Sequence, residues 1–350
     1  MKLGVVTASY PRFTGDAAGG FVAGHVEAMR ALGHDVEVVA ASALGSSVFE
    51  RGGAPDLLER APFTAAPAAA LVTARLVAAV ARRARRWDAV FAHWLVPSAL
   101  AALPNRLPML AIAHGGDVFT LRRLHLLAPV LAALRRRRAK LAFVAGHLRT
   151  TAAAAAPRLA PWLTRAAIQP MGLDLARFAR LTRAPDPHPL VLVVARLVPI
   201  KGVDVALAAA PLVRTPFQLA IAGDGPERAR LGGRAATWLG AVTADARDAL
   251  LRRAAAVVIP SRVLASGRTE GTPLIALEAL AAGVPVIASA VGGLRDLPAA
   301  HLVPPDDPAA LAAAIDRVLA APPAEAALRA SVAHLSWREV AGRLLAQLRE

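Results

Sequence analysis

The sequence predicts an α/β protein made of two parallel-sheet domains. A length of 350 residues accommodates two domains of ordinary size. Short β-branched or apolar runs alternate with Ala/Leu/Arg-rich helical stretches along the whole chain, the signature of strands wound by βαβ units. A proline-rich stretch divides this alternation into two series. The first series predicts strands at Leu3–Ala8, Val36–Ala40, Ala89–His93, Met109–Ala113, Leu141–Ala145 and Ala167–Gln169. The second predicts Leu190–Ala195, Gln218–Ala222, Ala256–Ile259 and Val284–Ala288, with Trp238–Leu239 and His301–Val303 as weaker members. Between them lies LDLARFARLTRAPDPHP, with prolines at 185, 187 and 189. The expected organisation is a first domain over 1–175, a linker over 176–188 and a second domain over 189–329. A closing helical segment over 330–350 is then free to pack back on the first domain.

Composition removes several classes of function. Ala dominates the 56% hydrophobic fraction, and the longest charge-free runs, Ala89 to Asn105 and Ala279 to Leu294, are interrupted by Pro, Gly or His. A spanning helix needs about 20 consecutive apolar residues, so none is expected. Met1-Lys2 leads straight into a strand-like run without a signal-peptide pattern, and there is no cysteine for a disulfide or thiolate site. A cytoplasmic protein is expected. The net charge of +16 is lopsided: residues 1–185 carry 24 Lys+Arg against 10 Asp+Glu, whereas 186–350 carry 17 against 15. A basic half points to an anionic partner. Its densest clusters, Arg82-Arg83, Arg85-Arg86 and Arg135 to Arg138 with Lys140, end predicted helices, where cations offset the helix dipole. They read either as solvated helix ends or as a patch for the inner face of an anionic membrane.

The most informative segment is PSRVLASGRTEGTPLIALEALAAGVPVIAS, residues 260–289. Glu270 precedes Gly271-Thr272-Pro273, and Glu278 follows eight positions after Glu270. Thr272 suits an N-cap and Pro273 the first helical position, so a helix is predicted from there to about Ala282. Helix N-termini attract anions, so two carboxylates beside one call for a ligand with both phosphate and hydroxyls. A nucleotide sugar has both. After the strand LVLVVA come Arg196 and Lys201-Gly202, two cations at the edge where open α/β sheets bind ligands. Taken singly they also fit surface and turn residues. The strand QLAIA runs into Gly223-Asp224-Gly225, which any tight strand-to-helix turn can use.

The first half contributes two glycine loops. In SYPRFTGDAAGGFVAGH, Gly19-Gly20 precede a helix predicted over Phe21 to Leu32, and read as a phosphate or sugar approach or as a flexible loop. In AIAHGGDVF, His114 and Asp117 follow a strand. His114 is a candidate general base, a candidate for orienting a hydroxyl, or a structural histidine. His93 and Trp94, in FAHWLVPS, end the preceding strand on the same expected rim, where they line either an acceptor pocket or the core.

Together these strings resemble the retaining glycosyltransferases of family 4, the group of glycogen synthase and phosphatidylinositol mannosyltransferase. The resemblance rests on ARLVPIKGVD, IAGDGPERARL, LGAVTADARDALLRRA and PSR…EGTPLIALEALAAGVPVIAS in the second half. In the first half it rests more loosely on YPRF…GGFVAGHVEAMRALGHDVEVVA, FAHWLVPSAL, AHGGDVF and IQPMGLDLARF. It implies the GT-B fold, two Rossmann-like domains facing each other across a cleft. It further implies sugar transfer, with retention, from a nucleotide sugar to a hydroxyl of a glycan or lipid-linked acceptor, as in bacterial cell-envelope synthesis. Carried over, Arg196 and Lys201 hold the donor diphosphate, Glu270 meets the donor sugar and Glu278 the ribose diol. Gly271, Thr272, Pro273 and Leu274, with Gly223 and Arg262, complete the donor side. Gly19 and Gly20 close over the diphosphate, His114 lies near the sugar, and His93, Trp94 and Asp117 are acceptor-side candidates. Many members have Gly-Phe-Gly or similar after the first Glu, where this chain has Gly271-Thr272-Pro273. Pro273 lacks an amide, but the first helical N–H is unpaired in any helix. No cofactor and no metal are expected, since two cations and a helix dipole can stand in for a divalent ion; a UDP-sugar is preferred over a GDP-sugar. Two other classes fit less of the chain: a GT-B-type sugar-nucleotide epimerase or phosphorylase, and a basic nucleic-acid-binding protein, which pI 11.6 alone supports without any recognised module.

Overall fold

A computed structural model describes residues 1–13, 18–44, 62–232 and 236–349, with the side chains of 62–66 outside the description. Residues 14–17 of the first glycine-containing loop are therefore not described. The chain divides into two compact units, Met1–Gly172 with Ser336–Glu350, and Leu173–Leu335.

In the first unit, β1 (Lys2–Thr7), β2 (Asp35–Ala40), β3 (Ala89–His93), β4 (Met109–Ala113), β5 (Lys140–Phe143) and β6 (Ala167–Ile168) form one sheet in the order β2-β1-β3-β4-β5-β6. Every pair is parallel. Helices cover both faces of a parallel sheet, so its strands are apolar throughout rather than alternating. All five residues of β3 and of β4 are buried. In the second unit, β7 (Leu190–Val194), β8 (Gln218–Ala222), β9 (Thr237–Gly240), β10 (Ala254–Ile259), β11 (Val286–Ser289) and β12 (Ala300–Val303) are ordered β12-β11-β10-β7-β8-β9, again all parallel. Each order doubles back once, at β1 in the first sheet and at β7 in the second. Loops leaving the C-terminal ends of strands at such a switch diverge and open a crevice between them.

The twelve expected strands are all present, with ends shifted by a residue or two. β11 begins at Val286 rather than Val284 because Val284 N still closes the preceding helix onto Ala279 O, and Pro285 has no N–H for the ladder. The stretch expected as a linker over 176–188 packs into the second unit. Arg183 donates to Gly283 O and Ala254 O at 2.6 and 2.8 Å, Ala184 N to Arg252 O at 2.9 Å, and Arg253 pairs with Asp186 at 2.7 Å. Arg183 thus supplies charged donors to a carbonyl just past a helix end and to one at the start of β10.

The closing segment is shared. Residues up to Leu335 stay with the second unit, where Leu335 O accepts from Leu173 N at 2.7 Å. The helix Trp337–Arg349 belongs to the first unit and buries Val340, Ala341, Leu344 and Leu345, while Arg343 donates to Gln169 at 2.7 Å. Trp337 lies flat against the helix Gly20–Ala31, so close that a Cβ at Gly24 would stand 2.4 Å from its Nε1. No helix among the described residues is long and apolar enough to cross a membrane. Gly24→Ala is expected to destabilise the protein by about 1–3 kcal/mol in urea unfolding through this overpacking. In a Trp337→Ala background the same change should cost almost nothing, and additive losses would contradict the contact.

Candidate functional site

In the second unit the two loops flanking the switch, after β7 and after β10, come together. Arg196 is exposed just past β7, and Lys201 ends the single 3-10 turn Pro199–Lys201. Lys201 Nζ lies 2.8 Å from Glu270 Oε1, and Ser261 Oγ donates to the same oxygen at 3.4 Å. The backbone of Glu270 is held from β11's side: Gly293 N donates to Glu270 O and Gly271 O at 3.3 and 3.0 Å. Gly292 makes that approach possible, since it has φ +51° and a Cβ there would stand 2.1 Å from Glu270 O.

The helix after Glu270 spans Leu274–Ala281, one residue later than the sequence predicts at its start. Pro273 is its N-cap, in extended conformation with φ −62° and ψ 125°, and supplies no side-chain cap. The extended ψ of Pro273, and not any bar on Thr272, moves the helix start one residue on. Ala276 N bonds Pro273 O, leaving the amides of Leu274 and Ile275 as the open donors of the terminus.

Glu278, on this helix, pairs with Arg247 of the helix Ala244–Arg253 at 3.1 Å. Arg247 is also 3.7 Å from Asp248, which in turn pairs with Arg177. Burial raises the Glu278 carboxyl above its ordinary range, Arg247 and Arg177 oppose that, and Asp248 reinforces it. Each rim carboxylate thus has its own cation, which is how two acids are tolerated by a helix terminus. Arg247 was missed in the sequence because its spacing on an ordinary helix marks no site; only the fold brings it to Glu278.

Two expected donor-side residues have other work. Arg262 lies 3.1 Å from Asp204 and 2.8 Å from Asp306, so its guanidinium is spent on the protein's own carboxylates. Gly223 is a packing position, where a Cβ would stand 1.8 Å from Ala195 O.

In the first unit the loops after β1, β3 and β4 bring together Gly19, Gly20, Phe21, Trp94 and His114. Gly19 is the N-cap of the helix Gly20–Ala31, and Gly20 has open space on its Cβ side. The Phe21 ring lies 5.0 Å from His114 and 5.5 Å from Trp94, whose own ring is 4.7 Å from His114. Phe21 carried no signal in the sequence beyond an apolar helix start. His93 and Asp117, expected on the acceptor side, turn inward. His93 is wholly buried, its Nε2 3.0 Å from His25 Nδ1 and its Nδ1 3.0 Å from His114 Nε2. Asp117 is buried and accepts from the amides of Leu95, His114, Gly115 and Val118 at 2.7 to 3.2 Å, tying the loop after β3 to the loop after β4. Burial raises its carboxyl, and those four amides pull it back. Burial also pushes His25 and His114 down to about 3, with His25 adding to the effect on His114, and takes His93 well below its ordinary value.

Two solved structures match this chain end to end. Sucrose-phosphate synthase from Thermosynechococcus elongatus gives a TM-score of 0.72 at 23% identity, over 99% of this chain and 98% of that one. Anabaena HepE in complex with UDP gives 0.72 at 16% identity over 100% of both. The fold is GT-B. Residues 188–321 match the sequence model of the family Glycosyl transferases group 1, a span that begins just before β7 and contains both rim ion pairs. Among curated relatives, glycogen synthase of Mycobacterium tuberculosis is 34% identical over 202 residues, 52% of this chain and 47% of that protein. D-inositol 3-phosphate glycosyltransferase of Acidothermus cellulolyticus is 35% identical over 185 residues, 46% of this chain and 40% of that protein. The chain thus spans less than half the length of these relatives.

The buried histidines make stability depend on pH. With folded-state values below the unfolded 6.5, the unfolded chain binds more protons, so stability falls as pH drops from about 6.5, by about 1.4 kcal/mol per pH unit for each histidine. The raised carboxyls of Asp117 and Glu278 act oppositely, two groups against the three histidines. The urea midpoint is expected to fall clearly between pH 7 and pH 5; an unchanged midpoint would contradict the neutral buried histidines. Arg247→Ala is expected to cost about 3 kcal/mol by stranding Glu278, and the same change in a Glu278→Gln background should cost much less.

Proposed function

We propose that this protein is a retaining glycosyltransferase of family 4, moving a sugar from a nucleoside-diphosphate sugar to a hydroxyl of a glycan or lipid-linked acceptor. The observation that carries this is the second unit's rim: Arg196 and Lys201 after β7, Glu270 at 2.8 Å from Lys201, and Glu278 on the helix that opens behind Glu270. Breaking the bond from the anomeric carbon to the diphosphate builds negative charge on the leaving phosphate and positive charge on the sugar. Arg196, Lys201 and the amides of Leu274 and Ile275 are assigned to the first, and the Glu270 carboxylate to positioning and polarising the second. Glu278 is assigned the ribose diol, for which it must share its bond to Arg247. Gly271, Thr272 and Pro273 line the approach to the amides. In the first unit, the Gly19–Gly20 helix start is assigned to phosphate and His114 to a sugar hydroxyl, with Phe21 and Trp94 as apolar walls.

Retention is assigned to front-face attack, with the leaving phosphate helping to deprotonate the acceptor. Two fixed cations and a helix dipole make the reaction independent of a divalent ion, so full turnover is expected in EDTA. UDP is the preferred nucleotide, supported by the UDP named with Anabaena HepE. A role in bacterial cell-envelope polysaccharide or glycolipid synthesis fits the basic first half, whose exposed Arg85-Arg86 and Arg135-Arg136 are assigned to peripheral contact with an anionic membrane at its cytoplasmic face.

A nucleotide that binds the native state raises its melting temperature by mass action, so UDP and UDP-sugars are expected to raise Tm more than GDP counterparts, and no shift with any nucleotide would overturn the donor assignment. Arg196→Ala and Lys201→Ala are each expected to lower turnover at least tenfold with the fold intact. Near-wild-type rates in both would remove the diphosphate clamp.

A further inference from the structure

We propose that His25 and His93 form a closed file that holds His114 as a neutral, oriented hydrogen-bonding group, and that His114 is not a general base. The file is two hydrogen bonds long: His25 Nδ1 to His93 Nε2 at 3.0 Å, and His93 Nδ1 to His114 Nε2 at 3.0 Å. It deepens the role proposed for His114 and rests on that reading for its functional meaning.

A neutral imidazole carries one N–H, so three rings bonded in a file set their tautomers together. Either all three carry the proton on Nδ1, pointing outward to His114, or all three carry it on Nε2, pointing inward to His25. The inner end of the file is closed. His25 is fully buried, its Nε2 has no hydrogen-bond partner among the described residues, and its ring sits between Phe91 at 5.2 Å and Trp337 at 6.2 Å. The outer end is open: Nδ1 is the one ring nitrogen of His114 that the file leaves unused, and His114 is partly exposed.

This geometry decides what His114 can do with a proton. In the outward setting Nδ1 already carries one and accepts none. In the inward setting Nδ1 could accept one, but the file would become cationic, and the charge could leave only by losing the proton on His25 Nε2, which has no acceptor. A stranded cation among buried rings is costly. Phe21 and Trp94 pack on His114, and among the described residues the other titratable group bonded to this rim, Asp117, is spent on four amides and offers no counter-charge. His114 therefore orients a hydroxyl, and His93 and His25 are positioning residues that fix its ring and tautomer without touching ligand.

The test is nitrogen-15 NMR of histidine-labelled full-length protein, which reads each ring's tautomer and titration directly. Wild type is expected to show the same single tautomer in all three rings and no titration of any between pH 8 and pH 5. Opposed tautomers in neighbouring rings, or His114 titrating near pH 6.5, would overturn the proposal. His93→Asn keeps an amide where Nδ1 lay and should leave His114 in one tautomer. His93→Gln moves the amide to the Nε2 position, breaks the outer bond, and should give His114 tautomer-averaged shifts; identical His114 spectra in both would also overturn it. Turnover of UDP-glucose separates the two readings. If His114→Ala leaves turnover unchanged while the wild-type spectra are as expected, the file stands and the sugar contact fails. If turnover needs His114 and follows its titration near neutral pH, the contact stands and the file fails.

Discussion

A parallel strand can pair with its neighbour only after the chain has crossed back over the sheet, so every strand ends at the same edge. All the chemistry described above follows from that constraint. The residues after β1, β3 and β4 converge at one rim, and those after β7 and β10 at another, because each sheet reverses its order at β1 and at β7. Residues far apart in sequence, such as Lys201 and Glu270, become ion-pair partners without any loop having to travel. The backbone is held equally tightly: Asp117 gathers four amides from two loops, and Gly292 admits the carbonyl of Glu270 where any side chain would collide with it.

The two rims solve different electrostatic problems. In the second unit, acids and bases are matched one to one, Lys201 with Glu270 and Arg247 with Glu278, so that the free amides of the helix Leu274–Ala281 keep their attraction for an anion. Such pairs are costly to bury and costly to break, which holds the rim in one arrangement until a ligand offers each member a better partner. In the first unit the corresponding groups are uncharged. Three imidazoles, a phenyl ring and an indole pack together, and burial keeps the imidazoles neutral. Under the proposed function, one rim takes phosphates and diols and the other takes hydroxyls and the apolar face of a sugar.

How much of this the sequence carried depends on the range of the interaction. Strands buried on both faces are continuous apolar runs, so β3, β4 and β8 were legible to the residue. Exact ends were not: β11 starts after Pro285, which has no N–H for the ladder, and the helix after Glu270 starts one residue late because Pro273 stays extended. Glu270, Glu278 and Lys201 were legible as a spacing beside a helix start, since local chemistry demanded an explanation for acids there. Arg247 was not, because nothing local distinguishes it from the other arginines of its helix. His93 and Asp117 show the converse error. Each stands at a strand end, where exposed ligand residues are expected, and only the third dimension reveals that one is sealed between two histidines and the other saturated with amides.

That error carries its own physical content. A polar residue at the C-terminal edge of a parallel strand is useful either by reaching a ligand or by fixing the loop that does, and the second use requires burial. Asp117 fixes backbone, His93 fixes a side chain, and His114 alone of the three keeps an open ring nitrogen. A buried file of neutral imidazoles also sets a limit on catalysis from this rim: it can orient hydroxyls through hydrogen bonds but cannot store a proton near neutral pH. If the proposed transfer takes place here, the acceptor's proton must therefore leave by another route, and the phosphate oxygens of the departing nucleotide are groups whose basicity rises as the bond breaks.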